Sequence, residues 1–331
     1  MIEGHGDDIY RYRDKVRSNF SSNIFSHADL TGLKAYLNTR MDVIGNYPEP
    51  EPYSLEQMLA ERLELTKDQV LVTNGATEAI YLIAQLFRSR TPEVRTPTFS
   101  EYESAIRMFH DSYCDMDGNP RIVWLCNPNN PDGKVIPKEK LEQQIWTDSS
   151  TIYVIDQSYA NYTLEPLPFP REMVRLENCL LLHSMTKRYC IPGLRLGYVT
   201  ASESMIEQLR RYRQPWSVNA LAIEAGRYLL EHDIPNFPPL KEYLAETQRL
   251  RQALNTIDGV TALETQTNFM LVRLDRGTAA DLKEFLIQHF GILIRDASNF
   301  TGLTPAHFRV AAQTPEENDL LIEGIKAYVY R

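Results

Sequence analysis

Apolar residues along the chain fall into short unbroken runs, separated by longer stretches where they recur every three or four positions. The runs Val70-Leu71-Val72, Ile122-Val123-Trp124-Leu125, Ile152-Tyr153-Val154-Ile155 and Leu180-Leu181-Leu182 lack polar alternation, and a fifth strand is expected over 194–199. Such runs predict strands buried on both faces. Between them, Leu55, Met58, Leu59 and Leu63, and later Ile80, Ile83, Ala84 and Phe87, carry helical spacing. Ser54 and Gln57 predict a capping box at the first of these helices. Strand, turn and helix in alternation predict a three-layer α/β domain with a mostly parallel sheet. In such sheets ligands sit beyond the carboxyl ends of the strands, so the polar residues there are the ones to weigh.

The flanks differ. Residues 1–45 read as polar and irregular, with turns at Ser21, Ser22 and Asn23 and again at Asn46-Tyr47-Pro48. After Trp216 the pattern predicts helices over 217–230 and 240–254 and strands over 269–274, 292–295 and 308–311. Another helix is expected to open at Thr278. The last opens at Thr314, with Pro315 in its first position and Glu317 in its third. This is the signature of a smaller α+β domain. The expected organisation is an N-terminal arm (1–45) associated with the smaller domain, a large domain (46–220) and the small domain itself (221–331).

Composition narrows the function. The chain has 331 residues, and 35 Lys and Arg against 44 acids give a net charge of −9, which argues against a nucleic-acid partner. The run Arg210-Arg211-Tyr212-Arg213 is accordingly read as a solvated helix face or a contact between subunits. Cys114, Cys126, Cys179 and Cys190 form no C-x-x-C pair and read as reduced thiols. No secretory signal and no run of about 18 apolar residues is present, so a cytoplasmic protein without a membrane partner is expected. The histidines lack metal-ligand spacing, so no metal is expected. No G-x-G-x-x-G turn follows a strand, which sets a nicotinamide-binding domain aside.

The chemistry gathers around Lys187. A lone lysine means little, but here two hydroxyls precede it in Ser184-Met185-Thr186-Lys187, and Arg195 follows in Gly193-Leu194-Arg195-Leu196-Gly197. Hydroxyls and a guanidinium hold a phosphate while the lysine meets an aldehyde on the same molecule, the arrangement that anchors pyridoxal phosphate. Gly75-Ala76-Thr77 opens a helix, where free N–H groups favour an anion. Asp156 ends an apolar strand, where a carboxylate can pair with the pyridinium nitrogen. Tyr159, three residues on, and Asn130, in an Asn/Pro loop, could reach the phenolic oxygen. Tyr102 could stack on the ring.

In order and spacing these positions resemble the fold-type I pyridoxal-phosphate enzymes of the aminotransferase class I/II superfamily, over essentially the whole chain. Within it the sequence looks like the histidinol-phosphate aminotransferase branch, and most like the threonine-phosphate decarboxylases of cobalamin biosynthesis. Gly4-His5-Gly6, Asn19-Phe20-Ser21-Ser22-Asn23-Ile24, the segment 189–198, Gln214-Pro215-Trp216-Ser217 and the segment 295–303 with Phe308-Arg309 carry that likeness. The resemblance implies that Lys187 is the Schiff-base lysine, with Asp156 and Tyr159 also catalytic. Gly75, Ala76, Thr77, Ser184, Thr186 and Arg195 would hold the cofactor phosphate. Tyr47 would reach the phosphate of a neighbouring subunit, which implies a homodimer. Arg309 would grip the substrate carboxylate, and His5, Asn23 and Arg295 the phosphate of a phosphorylated amino acid. The implied reaction is decarboxylation of L-threonine O-3-phosphate, with an aminotransferase acting on a phosphorylated substrate as the alternative. The sequence departs from the family pattern at Gln157-Ser158 and Asp132.

Overall fold

The computed structural model describes residues 7–12, 14–110, 121–232, 234 and 237–331. Strand β1 (Ser18–Asn19) lies in the N-terminal segment. Strands β2 (Val70–Thr73), β3 (Thr91–Val94), β4 (Arg121–Cys126), β5 (Ile152–Asp156), β6 (Cys179–Ser184) and β7 (Gly197–Thr200) build a central six-stranded sheet. Strands β8 (Val260–Ala262), β9 (Phe269–Leu274), β10 (Ile292–Leu293), β11 (Arg295–Asp296) and β12 (His307–Ala311) follow.

The central order is β2-β7-β6-β5-β4-β3. Strands β3 to β6 are parallel, and only β7 runs against its neighbours. Both faces are apolar, as the unbroken runs require. Trp124, Val154, Leu180 and Leu182 pack into one core, while Val123, Leu125, Tyr153, Ile155 and Leu181 pack with Leu141 and Ile145 into another. The direction of β7 has a consequence for the site. Gly197, its first residue, lies opposite both Ser184 at the end of β6 and Thr73 at the end of β2. Arg195, just before β7, thus arrives at the edge where the parallel strands finish.

The second sheet, β11-β12-β9-β8, is antiparallel throughout. Helices Leu240–Leu254, Ala279–Phe290 and Pro315–Val329 accompany it. Thr278 and Thr314 cap the last two as expected, the latter in a complete capping box with Glu317. The N-terminal segment is laced to this part of the fold. Strand β1 pairs in parallel with β10, the Phe20 N–H donates to the Leu293 carbonyl, and the Phe20 carbonyl accepts from Ala311 N–H.

Four expectations need correction. The first 45 residues include a helix, Thr31–Thr39, whose Leu33 is buried against the core. Ser54 does not cap its helix; that helix starts at Tyr53, and the Ser54 hydroxyl donates to Glu49 Oε2 at 3.2 Å. The apolar stretch 292–295 is split, β10 pairing with the arm and β11 with β12, because two partners compete for one run. The basic run is not a solvated face. Arg210 and Arg213 turn inward to Glu51 and to the buried Glu56, while Arg211 and Tyr212 are exposed and Arg211 pairs with Glu207. Among the described residues no helix is long and apolar enough to cross a membrane.

Candidate active site

Where the parallel strands end, a cavity of about 250 Å³ opens, floored by the central sheet and closed by the second sheet and the N-terminal segment. Ala76, Thr77, Asn130, Asp156, Tyr159, Ser184, Thr186, Lys187, Arg195, Arg295 and Arg309 all face it. The strands therefore gather residues spread from position 76 to position 309.

Lys187 sits in the one-turn helix Met185–Arg188 directly after β6. Its amine donates to the Ser22 carbonyl at 2.7 Å, and its own carbonyl accepts from the Tyr162 hydroxyl at 2.7 Å. Burial, with Arg309 nearby, pushes the amine down to about 8. Asp156 ends β5 with two neutral donors, Ser158 N–H to Oδ1 at 2.8 Å and the Tyr102 hydroxyl to Oδ2 at 2.7 Å. Burial raises its pKa against the pull of these bonds. Such a carboxylate is well suited to a cation delivered by a ligand.

A guanidinium meets a helix N-terminus at the start of helix Gly75–Leu86. Gly75 has φ +76°, and a Cβ there would come within 2.7 Å of Arg195 Nη2. Glycine lets the guanidinium close on the helix N-terminus, where free N–H groups accumulate. Gly197 does the same for the strand, since its Cβ would meet Ala76 N at 2.6 Å. Burial depresses Arg195, which is in the left-handed region (φ +56°).

Opposite, Arg295 and Arg309 are directly paired across β11 and β12, so both side chains leave the same face. Arg309 donates to Asn130 Oδ1 and to the Ser21 carbonyl, and its buried Nε has no partner among the described residues. Arg295 donates to Asn299 Oδ1 at 2.7 Å and to the Asp296 carbonyl, and lies over Phe300. Burial, followed by repulsion from Arg309, lowers it to about 10. Tyr159 is wedged edge-on against Phe269, and burial pushes its hydroxyl up to about 12.

Other residues lie elsewhere. Tyr102 does not face the cavity. It is buried beneath it, stacked on Trp124, while Phe99 takes the lining position, edge-on to Tyr102 at 5.8 Å. Asn23 is fully buried in the left-handed region, its side chain beside Tyr159. Tyr47 stands outside, 84% exposed and packed against Trp216. His5 lies outside the described residues. The sequence reading missed Asp7, Ser21, Ser22, Phe99, Ser100 and Phe300, all of which line the cavity. Ser21 and Ser22 contribute backbone carbonyls, which leave no mark on residue type; Phe99 could have been found from its place in the same motif as Tyr102.

The cavity thus brings together a buried amine, a buried carboxylate and a guanidinium beside a helix N-terminus. Residues 111–325 match the family described as aminotransferase class I and II, and the chain belongs to that family of pyridoxal-phosphate enzymes. Among solved structures it is similar to the L-threonine-O-3-phosphate decarboxylase of Porphyromonas gingivalis, at 36% identity and a TM-score of 0.90, covering 95% of this chain and 100% of that one. It is 29% identical to the threonine-phosphate decarboxylase of Salmonella typhimurium over 93% of this chain and 90% of the relative. A histidinol-phosphate aminotransferase from a Thermoanaerobacter species is 31% identical over 85% of this chain and 83% of the relative.

The depressed Lys187 has a measurable consequence. Only the neutral amine attacks an aldehyde. With Lys187 as the capturing amine, as proposed below, capture of added pyridoxal phosphate by cofactor-free protein should slow about tenfold per unit of pH below the lysine's pKa and level off above about 8. Stopped-flow absorbance at several pH values checks this; a rate still climbing at pH 10 would contradict the burial.

Proposed function

We propose that the chain decarboxylates L-threonine O-3-phosphate to (R)-1-amino-2-propanol O-2-phosphate and CO2, as a cytoplasmic homodimer in cobalamin biosynthesis. The observation that carries this reading is the pair of guanidiniums, Arg295 and Arg309, opposite one another on adjacent strands and facing the same cavity as Lys187. A phosphorylated amino acid has two anionic ends, and two planar bidentate donors suit both.

Bound pyridoxal phosphate supplies an electron sink for a bond at the substrate α-carbon. The protein supplies orientation and charge. Gly75, Ala76, Thr77, Ser184, Thr186 and Arg195 hold the cofactor phosphate, and Asp156 holds the proton on the ring nitrogen. Asn130 and Tyr159 serve the phenolic oxygen, and Phe99 takes the stacking role expected of Tyr102. Arg309 grips the carboxylate, while Arg295, with Asn23 and His5, takes the substrate phosphate. Lys187 binds the aldehyde and later returns a proton to the α-carbon. Residues 46–220 form the cofactor-binding unit, 221–331 the small unit and 1–45 its arm, with Tyr47 and the adjacent Trp216 at the contact between subunits.

The aminotransferase relative supports a second reading, amino transfer on a phosphorylated substrate. Histidinol phosphate carries no carboxylate, so Arg309 would then serve the 2-oxo acid partner. Incubation with threonine phosphate, first without and then with 2-oxoglutarate, separates the two. Stoichiometric CO2 with no 2-oxo acid added is the expected result; amino transfer to 2-oxoglutarate without CO2 would replace the first reading with the second.

A further inference from the structure

Tyr102 is buried where no side chain needs a hydroxyl for packing. Its ring stacks on Trp124, with centroids 5.6 Å apart and planes 25° from parallel, and meets Phe99 edge-on. Phenylalanine would make the same ring contacts. The hydroxyl, 1% exposed with its residue, would cost free energy there unless it were hydrogen-bonded. Its one proton goes to Asp156 Oδ2 at 2.7 Å, while Ser158 N–H occupies Oδ1. The two oxygens of the carboxylate are therefore held by two different elements, one from the turn after β5 and one from helix Glu101–Phe109. Both donors are uncharged.

We propose that Tyr102 is a positioning residue, whose hydroxyl keeps the Asp156 carboxylate ionised and fixed so that it can hold the proton on the cofactor's ring nitrogen. This rests on Asp156 being the partner of that nitrogen, and not on which substrate is turned over. The electrostatics agree in direction. Burial raises Asp156 towards its neutral form, and hydrogen bonds from Ser158 and then Tyr102, with the charge of Lys187, oppose that rise. Burial also drives the tyrosine's own acidity far out of the working range, so the hydroxyl remains a donor. The same residue touches Phe99, which lines the cavity, so one side chain braces both the carboxylate and an aromatic wall.

The test is Tyr102→Phe, read on cofactor binding rather than turnover. Pyridoxal phosphate is titrated into cofactor-free protein across pH, and the ring nitrogen is followed by NMR with ¹⁵N-labelled cofactor. A hydrogen bond to a charged group is worth enough to weaken binding about tenfold or more at neutral pH. Because loss of the bond raises the carboxyl pKa, the acid limb of the affinity profile should move up by about one pH unit. The nitrogen signal should shift towards the deprotonated form. Trp124→Phe, which disturbs the stack but keeps the hydroxyl, should leave limb and signal in place. Loss of affinity by the same factor at every pH, or limb movement in Trp124→Phe alone, would mean that Tyr102 acts only through packing, overturning the proposal. Asp156→Asn separates the premise. If it leaves affinity and nitrogen signal unchanged, the role of Asp156 falls; if it disrupts both while Tyr102→Phe does not, only the role of Tyr102 falls.

Discussion

Lys187→Ala is expected to yield a folded protein that loses its yellow colour on dialysis and turns over substrate at least on the order of a thousandfold more slowly. The size follows from the two duties placed on one amine, anchoring the aldehyde and carrying a proton. Stability should change little. The substitution removes a buried cation, relieving desolvation and repulsion from Arg309, but leaves the Ser22 carbonyl without its 2.7 Å donor. Circular dichroism and thermal melting of cofactor-free protein establish folding, and absorbance with product assay establishes function. A variant that keeps both colour and near-normal turnover would remove Lys187 from the site.

Arg295→Ala is expected to act on the substrate and spare the cofactor. The lost guanidinium is a charge-assisted donor, worth about 1.5–3 kcal/mol per hydrogen bond. The KM for threonine phosphate should rise about a hundredfold, while pyridoxal phosphate affinity stays within a few-fold of the parent. Arg295→Lys should recover part of the loss, because it keeps the charge but not the bidentate geometry. Steady-state kinetics beside a cofactor titration make the comparison. Equal losses for substrate and cofactor would point to collapse of the β11–β12 pair, which Arg295 also supports through Asn299.

The parts of this fold that a reader of the chain could foresee share one property: their signal is local. Unbroken runs such as Ile152 to Ile155 become inner strands because both sheet faces are covered, and Thr314 with Glu317 caps a helix on contacts three residues apart. Strand β3 gives no such signal. It is an edge strand of Thr, Pro, Glu and Val, only partly buried, so nothing in its pattern distinguishes it from a loop. The helix Thr31–Thr39 is weakly apolar and depends on packing against Ala220–Glu231, a contact across nearly two hundred positions. The site divides in the same way. Lys187, Asp156 and the Gly75 turn announce themselves by what precedes and follows them. Ser21 and Ser22 enter through carbonyls, and the inward turn of Arg210 and Arg213 depends on Glu51 and Glu56, distant in the chain. Tyr102 was legible as important and illegible as to how, since nothing in the motif says which of its two aromatic rings reaches the cavity wall.

The register of β11 against β12 sets a ruler. Arg295 and Arg309 are rung partners on one ladder, so the spacing between their anchor points, about 4.5–5.5 Å at the Cβ atoms, is imposed by backbone pairing and not by the length of either side chain. Strand β12 is held in turn by β9 along its whole length, so a change in the length of the connection 297–306 would be absorbed in that loop and not at the rung. The distance between the two guanidinium anchors is thereby a property of the sheet, and the reach of the pair can change only through the side chain standing at either rung.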